Sequence, residues 1–151
     1  MHRAVRISIA AVVVAGVTLA ATAFPAQAAS PKILITKVYY NSPGSDTSSN
    51  TSLNGEIVRL TSNRDYAINL KGWTIRDKAN HVYTFTTNFT LNARARVWIF
   101  TGSGTDTARH RYWGSGWHIW NNTGDTAYLR NASGTAVDSC SWGRTGSYKL
   151  C

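Results

Sequence analysis

The sequence predicts an all-β domain, either a sandwich or a barrel, and three observations support this. Beyond the first segment, no window repeats apolar side chains with the 3.6-residue period of a helix. Short segments of alternating apolar and polar residues recur at nearly regular spacing, separated by clusters of Gly, Asn and Asp. Two of these segments, residues 73–76 and 82–85, flank a polar turn and include Trp73, which indicates a hairpin with a large apolar anchor.

The first 28 residues have the features of an export signal. His2, Arg3 and Arg6 provide a positive start, residues 7–23 are apolar, and Ala26-Gln27-Ala28 has the small-x-small pattern of a cleavage site. A membrane anchor is the alternative, because the apolar run approaches the length that spans a bilayer. The cleavage pattern favours a signal peptide over residues 1–28 and a secreted chain without a membrane span after cleavage.

The chain that remains is predicted to be one basic domain over residues 29–151, long enough for a single core and too short for two. Removing Arg3 and Arg6 from the 16 Lys and Arg leaves 14 basic against 7 acidic side chains, a net charge of +7. A surface of this charge attracts nucleic acid, acidic polysaccharide or anionic polymers of the cell envelope. The alternative is that the charge serves solubility alone.

The predicted strands follow one another through the domain. The first is expected to alternate regularly, and the strand at residues 96–100 to be buried on both faces, as in the centre of a sandwich. Residues 41–55 are rich in Ser, Thr, Asn and Gly and are expected to form a long mobile loop. The predicted strands are residues 32–40, 56–60, 66–70, 73–76, 82–85, 89–91, 96–100, 126–130 and 135–141.

The two cysteines, Cys140 and Cys151, both lie in the final segment. An even pair in an exported chain is typical of a disulfide, which here would close a short loop and fix the last residues. Two thiols without further ligands at suitable spacing do not complete a zinc site. We therefore predict a Cys140–Cys151 disulfide and no metal.

A stretch dense in aromatic and basic side chains, residues 109–120, is the predicted ligand surface. Guanidinium groups bind phosphates or carboxylates through paired hydrogen bonds, and aromatic faces stack on bases or sugar rings. Arg94 and Arg96 would extend the positive area. The alternatives are that the tryptophans close the core and that these two arginines guard a sheet edge. The candidate ligand-binding residues are Arg94, Arg96, Arg109, Arg111, Trp113, Trp117 and His118.

The sequence offers little support for catalysis. Asp77 and Asp125 are the pair to consider for glycoside hydrolysis, which needs two facing carboxyl groups, but Asp at turn positions commonly caps the backbone. Glu56 is expected to accept a hydrogen bond from a backbone donor or an arginine rather than act as a general base. The histidines beyond the signal are His81, His110 and His118, and they are not spaced as metal ligands usually are. We expect no enzyme activity and no cofactor.

Several segments follow one another in a recognisable order and spacing between about residue 32 and residue 138. They are Asn54-Gly55-Glu56-Ile57-Val58-Arg59-Leu60, Asn69-Leu70-Lys71-Gly72-Trp73-Thr74-Ile75-Arg76-Asp77, Tyr83-Thr84-Phe85, Phe89-Thr90-Leu91, residues 97–102, and Trp120-Asn121-Asn122-Thr123-Gly124-Asp125 continuing through Leu129 and Gly134. Together these segments resemble the lamin tail domain family.

This resemblance implies an immunoglobulin-like β-sandwich that binds or anchors and has no catalytic residues. Similar domains occur in exported bacterial proteins, so the chain resembles a secreted, bacterial-type member. DNA and protein partners are proposed for the nuclear members and do not transfer to an exported chain. Two features depart from the family pattern: residues 93–96 replace a turn that often contains Gly, and the cysteine pair lies beyond the shared segments.

The sequence therefore predicts an exported, monomeric, non-catalytic binding or anchoring module. Its expected partner is anionic, either nucleic acid or a cell-envelope polymer. A structural or protein-interaction domain without a polyanion ligand is the first alternative, and a small secreted hydrolase is the second.

Overall fold

Eleven strands and one short helix make up the part of the chain that the computed structural model describes, residues 32–151. The predicted signal peptide, residues 1–28, lies outside these residues. Within them, no helix has the length and hydropathy needed to cross a membrane. The elements are β1 Ile33–Tyr39, α1 Asn50–Leu53, β2 Ile57–Ser62, β3 Ile68–Asn69, β4 Thr74–Arg76, β5 Val82–Thr84, β6 Thr90–Leu91, β7 Arg96–Phe100, β8 His110–Tyr112, β9 Asp125–Arg130, β10 Ala136–Trp142 and β11 Tyr148–Leu150.

The strands form two main sheets that pack as a sandwich, which confirms the predicted fold class. One sheet has five strands in the order β11-β1-β2-β7-β8, and the other has four in the order β10-β9-β4-β5. Strands β3 and β6 form a separate two-stranded sheet. Neighbouring strands are antiparallel except β7 and β8, which run parallel.

The predicted hairpin lies where the sequence placed it. Strands β4 and β5 pair antiparallel, with Ile75 opposite Tyr83. Trp73 and Ile75 point into the core and are 8% and 0% exposed, while Thr74 and Arg76 on the other face are partly exposed. The alternation of the sequence thus predicts which face of this hairpin is buried.

Strand β1 departs from the predicted regular alternation. A bulge between Ile35 and Lys37 shifts its register against β2, so that Ile33 and Ile35 are buried before it and Val38 and Tyr40 after it. The backbone N–H of Ile35 donates to the carboxylate of Asp138 in the opposite sheet at 2.8 Å. This carboxylate satisfies a donor at the irregularity and ties the two sheets together.

The segment over residues 41–55, predicted to be a long mobile loop, is irregular over most of its length but makes specific contacts with the rest of the domain. It contains α1, whose N-cap Ser49 accepts a hydrogen bond from the backbone of Ser52, and it buries Leu53 to 3% exposure. The Asn50 side chain also bonds both the N–H and the C=O of Ser103. The sequence missed α1 because Ser and Asn order a segment through capping and side-chain hydrogen bonds, which hydrophobicity does not measure. The mobility of the segment stays a prediction.

The end of the chain forms β11, a strand that the sequence did not predict. Cys140 and Cys151 form the predicted disulfide, with their Cα atoms 5.8 Å apart. Strand β11 pairs with β1, placing Tyr148 opposite Tyr39 and Leu150 opposite Lys37. The disulfide therefore fastens the last strand to β10, in the other sheet.

Candidate ligand site in an arginine cleft

Three arginine side chains line one cleft, one at the start of β7, one in the turn before β7 and one immediately before β8. Val97 and Ile99 of β7 point into the core, so Arg96 and Trp98 point outward. The backbone N–H of Trp98 donates a hydrogen bond to the backbone carbonyl oxygen of Arg109 at 2.8 Å, and this bond brings the start of β8 alongside β7. The cleft has a volume of about 230 Å³, and its lining residues are Arg94, Ala95, Arg96, Trp98 and Arg109.

The charge of this cleft is largely uncompensated. Arg94 pairs with Asp65, but both side chains are well exposed, at 64% and 83%, and such pairs stabilise a protein only slightly. Within residues 32–151, neither the Arg96 nor the Arg109 guanidinium has a carboxylate partner. Positive groups brought together in this way repel one another, and a bound anion would relieve that repulsion.

Arg94 also has an unusual backbone conformation. Its φ of +58° lies in the left-handed region, which side chains with a Cβ rarely adopt. The turn that holds it is closed by a hydrogen bond from the Ala95 N–H to the Asn92 carbonyl oxygen at 3.2 Å. Arg94 thus occupies the kind of turn in which the resemblance leads us to expect glycine. Non-glycine residues in strained backbone conformations cluster at active sites, ligand-binding sites and switch regions.

Two other residues of the predicted surface, Arg111 and Trp113, lie away from the cleft. The Arg111 side chain is only 13% exposed, bonds Asp106 at 3.1 Å and lies over the Phe89 ring at 4.8 Å. Trp113 packs against the core, with its ring centroid 5.8 Å from that of Trp120. Both side chains thus make ion-pair, cation–π or aromatic contacts within the domain, and neither lines the cleft.

The last two predicted residues, Trp117 and His118, follow β8 and have different surroundings. Trp117 is 63% exposed and is not among the residues that line the cleft. The His118 side chain is 7% exposed. Its Nδ1 lies 3.0 Å from a carboxylate oxygen of Glu56, and its Nε2 lies 3.1 Å from the carbonyl oxygen of Thr47. His118 therefore holds the segment around α1 against the five-stranded sheet.

Glu56 has the structural role that the sequence indicated. It is 1% exposed and accepts a hydrogen bond from the Ile119 N–H at 3.0 Å, as expected for a buried carboxylate beside a backbone donor. Burial raises the pKa of the Glu56 carboxyl above its ordinary value of 4.5, against the opposing effects of the Ile119 hydrogen bond and of His118.

Ser52 lies next to His118, and His118 lies next to Glu56, as the serine, histidine and carboxylate of a hydrolytic triad do. The protonation of the histidine, however, differs from that of a catalytic triad. Ser52 Oγ lies 3.2 Å from His118 Nε2. The same nitrogen contacts the Thr47 carbonyl oxygen, an acceptor, so that contact requires a proton on Nε2. A protonated Nε2 has no lone pair with which to act as a base toward Ser52.

The two aspartates considered as a hydrolytic pair cap turns instead. Asp77 accepts a hydrogen bond from the backbone N–H of His81 at 2.7 Å and also contacts the His81 ring. Asp125 accepts hydrogen bonds from the backbone N–H groups of Lys78, Asn121 and Thr126. Their oxygens satisfy donors in and next to the β4–β5 turn and at the start of β9.

Trp98 is the aromatic residue of the cleft, and the sequence did not place it there. The sequence predicted that both faces of its strand would be buried, yet Trp98 and Phe100 are partly exposed on the outer face of the sheet. Arg109 reaches this strand through the parallel pairing of β7 and β8. The available signal was the position of Trp98, two residues from Arg96 and hence on the same face of the strand.

Comparison with known proteins identifies the family. A search of curated proteins finds no match to this chain. The family described as Lamin Tail Domain matches residues 26–144, which is most of the sequence. That family has an immunoglobulin-like fold, in agreement with the sandwich described above. The chain belongs to the lamin tail domain family, a family of non-catalytic interaction modules.

Proposed function

We propose that this chain is an exported binding module for a phosphate-rich polyanion, either nucleic acid or a cell-envelope polymer, and that the cleft of Arg94, Arg96 and Arg109 is its site. The observation that carries the proposal is the convergence of three guanidinium groups, two without a carboxylate partner among the described residues. Guanidinium groups suit phosphate because their fork of N–H donors matches its oxygens.

Two further features support this proposal. The whole chain has a net charge of +9, and the domain after the predicted cleavage site has +7, so the long-range field also attracts polyanions. None of the outward residues of β1, β2, β7 and β8 is acidic, so within these strands nothing on this face repels an anionic chain. The cleft thus opens onto a surface that a polymer can follow.

The test is a fluorescence-anisotropy titration of the mature domain with labelled single-stranded DNA, double-stranded DNA and poly(glycerol phosphate) at several salt concentrations. We expect binding that weakens steeply as salt rises, because phosphate contacts release counterions. An Arg96→Ala/Arg109→Ala variant should bind at least about tenfold more weakly. For single-stranded DNA, the slope of log K against log salt concentration should also become shallower by about 1.4, because two phosphate contacts are lost.

The matched control is Lys71→Ala/Arg144→Ala, which removes the same charge from exposed positions outside the cleft. An equal loss of binding in the control would show that net charge rather than the cleft attracts the polymer. If none of the three polymers binds at low salt, the proposal fails and a structural or protein-interaction domain becomes the better account.

A further inference from the structure

We infer that the cleft takes an unpaired base of a single-stranded nucleic acid, which stacks on Trp98 while the adjacent phosphates lie against Arg96 and Arg109. The inference rests on the proposed function and specifies its ligand. It starts from a position in the sheet where an exposed strand face would ordinarily carry a polar residue, and where this chain has tryptophan.

The other aromatic rings on this face already pack against neighbours. Phe100 and Tyr112 stack with their centroids 5.1 Å apart and their planes 19° from parallel. The backbone of Gly104 lies against the Tyr112 ring, since a Cβ at this glycine would come within 2.3 Å of it. Tyr39 and Tyr148 enclose the ammonium group of Lys37, at 4.1 and 3.9 Å from the two centroids.

Trp98 differs from these rings. Among the residues that the structure describes, the aromatic neighbour of Trp98 is His110. The centroids of the two rings lie 6.0 Å apart and their planes are 68° from parallel, so the rings meet edge to face and do not stack. Within residues 32–151, no ring stacks on the indole face and no cation lies over it. Trp98 is partly exposed and lines the same cleft as the arginines, so the cleft combines an aromatic ring that is not stacked on another ring with guanidinium groups that can bind phosphate.

Because the cleft contains both Trp98 and arginines, its affinity should differ from one class of polyanion to another. A phosphate polymer without rings can engage the arginines but gains nothing from the indole. The bases of a duplex are paired and stacked on one another, so they do not reach a side chain on a sheet. The bases of a single strand can rotate outward and stack on aromatic side chains irrespective of sequence.

The test compares a single-stranded oligonucleotide with an abasic strand of the same length and phosphate number, a duplex, and poly(glycerol phosphate). The wild-type domain should bind the base-bearing single strand most tightly. Trp98→Leu should weaken binding of that strand by at least about fivefold, with little change in binding of the abasic strand. Its salt dependence should stay that of the wild type, because the phosphate contacts remain.

Two variants separate stacking from an effect on folding. Trp98→Phe keeps a ring and should recover most of the affinity, whereas Trp117→Leu, which removes an exposed tryptophan outside the cleft, should leave the affinity unchanged. A 2-aminopurine base in the strand should lose fluorescence on binding to the wild type and not on binding to Trp98→Leu.

Other outcomes would overturn the inference in different ways. Equal affinity for the abasic and base-bearing strands, with no effect of Trp98→Leu, removes the stacking site and leaves the polyanion module intact. Tighter binding of poly(glycerol phosphate) than of any oligonucleotide points to an envelope polymer instead. Absence of binding to every polymer defeats both this inference and the proposed function.

Discussion

Arg94 is the residue at which stability and the proposed binding oppose one another. Its left-handed backbone is unfavourable for any residue with a Cβ, and its charge adds to the repulsion from Arg96 and Arg109. Its pair with exposed Asp65 offsets little of this. Arg94 therefore lowers the stability of the free domain but would favour an anion in the cleft. This is expected of a residue that serves binding rather than stability.

Arg94→Gly is therefore expected to stabilise the domain and weaken polyanion binding. Relief of the backbone strain should raise the free energy of unfolding by up to about 1 kcal/mol, measured by urea denaturation. Arg94→Ala keeps the strain and removes the charge, so it should weaken binding without a comparable gain in stability. A decrease in stability on Arg94→Gly would contradict this account of the turn.

Glu56 is a second residue whose environment has a measurable consequence. Its carboxyl pKa is raised by burial, so the folded chain holds this proton more tightly than the unfolded chain does. The stabilisation from this group is therefore complete below the ordinary carboxyl pKa of 4.5 and is lost as pH rises through the raised value. His118 faces this carboxylate, and Asp46 lies 3.8 Å from the other side of the ring.

Glu56→Gln removes that titration while keeping an acceptor for the Ile119 N–H. The free energy of unfolding of the wild type, measured relative to this variant, should fall as pH rises above 4.5. The same comparison in a His118→Gln background separates the contribution of the histidine. A relative gain in wild-type stability over that pH range would show that pairing with His118 outweighs the cost of burial.

At the scale of elements, two short strands form features of this chain that the sequence did not predict. Strand β8 brings Arg109 to the cleft, and β11 completes the edge of the five-stranded sheet. Each has three residues, too few to show alternation. Strand β8 pairs in parallel with β7, the strand before it, whereas β11 is held by β1 at the other end of the described sandwich and by the disulfide. The sequence did identify the cysteine pair that fixes β11.

Reduction of the Cys140–Cys151 disulfide should release β11. The bond closes a short loop, with a sequence separation of 11, and the chain-entropy model gives it a stabilisation of about 3 kcal/mol. Urea denaturation with and without a phosphine reductant should show a loss of this order, and hydrogen exchange should speed up first at Lys149 and Leu150. Unchanged stability after complete reduction would show that the strand pairing alone holds β11.

At the scale of the whole molecule, the sequence predicted the sandwich and the buried hairpin face because both follow from local alternation. It did not predict the bulge in β1, where the Ile35 N–H donates to the Asp138 carboxylate of the opposite sheet, a contact that no local pattern reveals. It listed Arg94, Arg96 and Arg109 among the candidate residues but did not bring them together with Trp98. That grouping needs the parallel pairing of β7 with β8, which no local pattern encodes.

The pairing of β1 with β11 has a consequence for the order of folding. These strands open and close the described sandwich, and Lys37 pairs with Leu150, so contacts of very high sequence separation complete this sheet. Such contacts form late, because a long segment must first be ordered. A chain cut short before residue 148 would leave β1 as an open edge of seven residues. An unprotected edge of this length invites strand exchange between copies, so C-terminal truncation should produce aggregates rather than a weaker monomer.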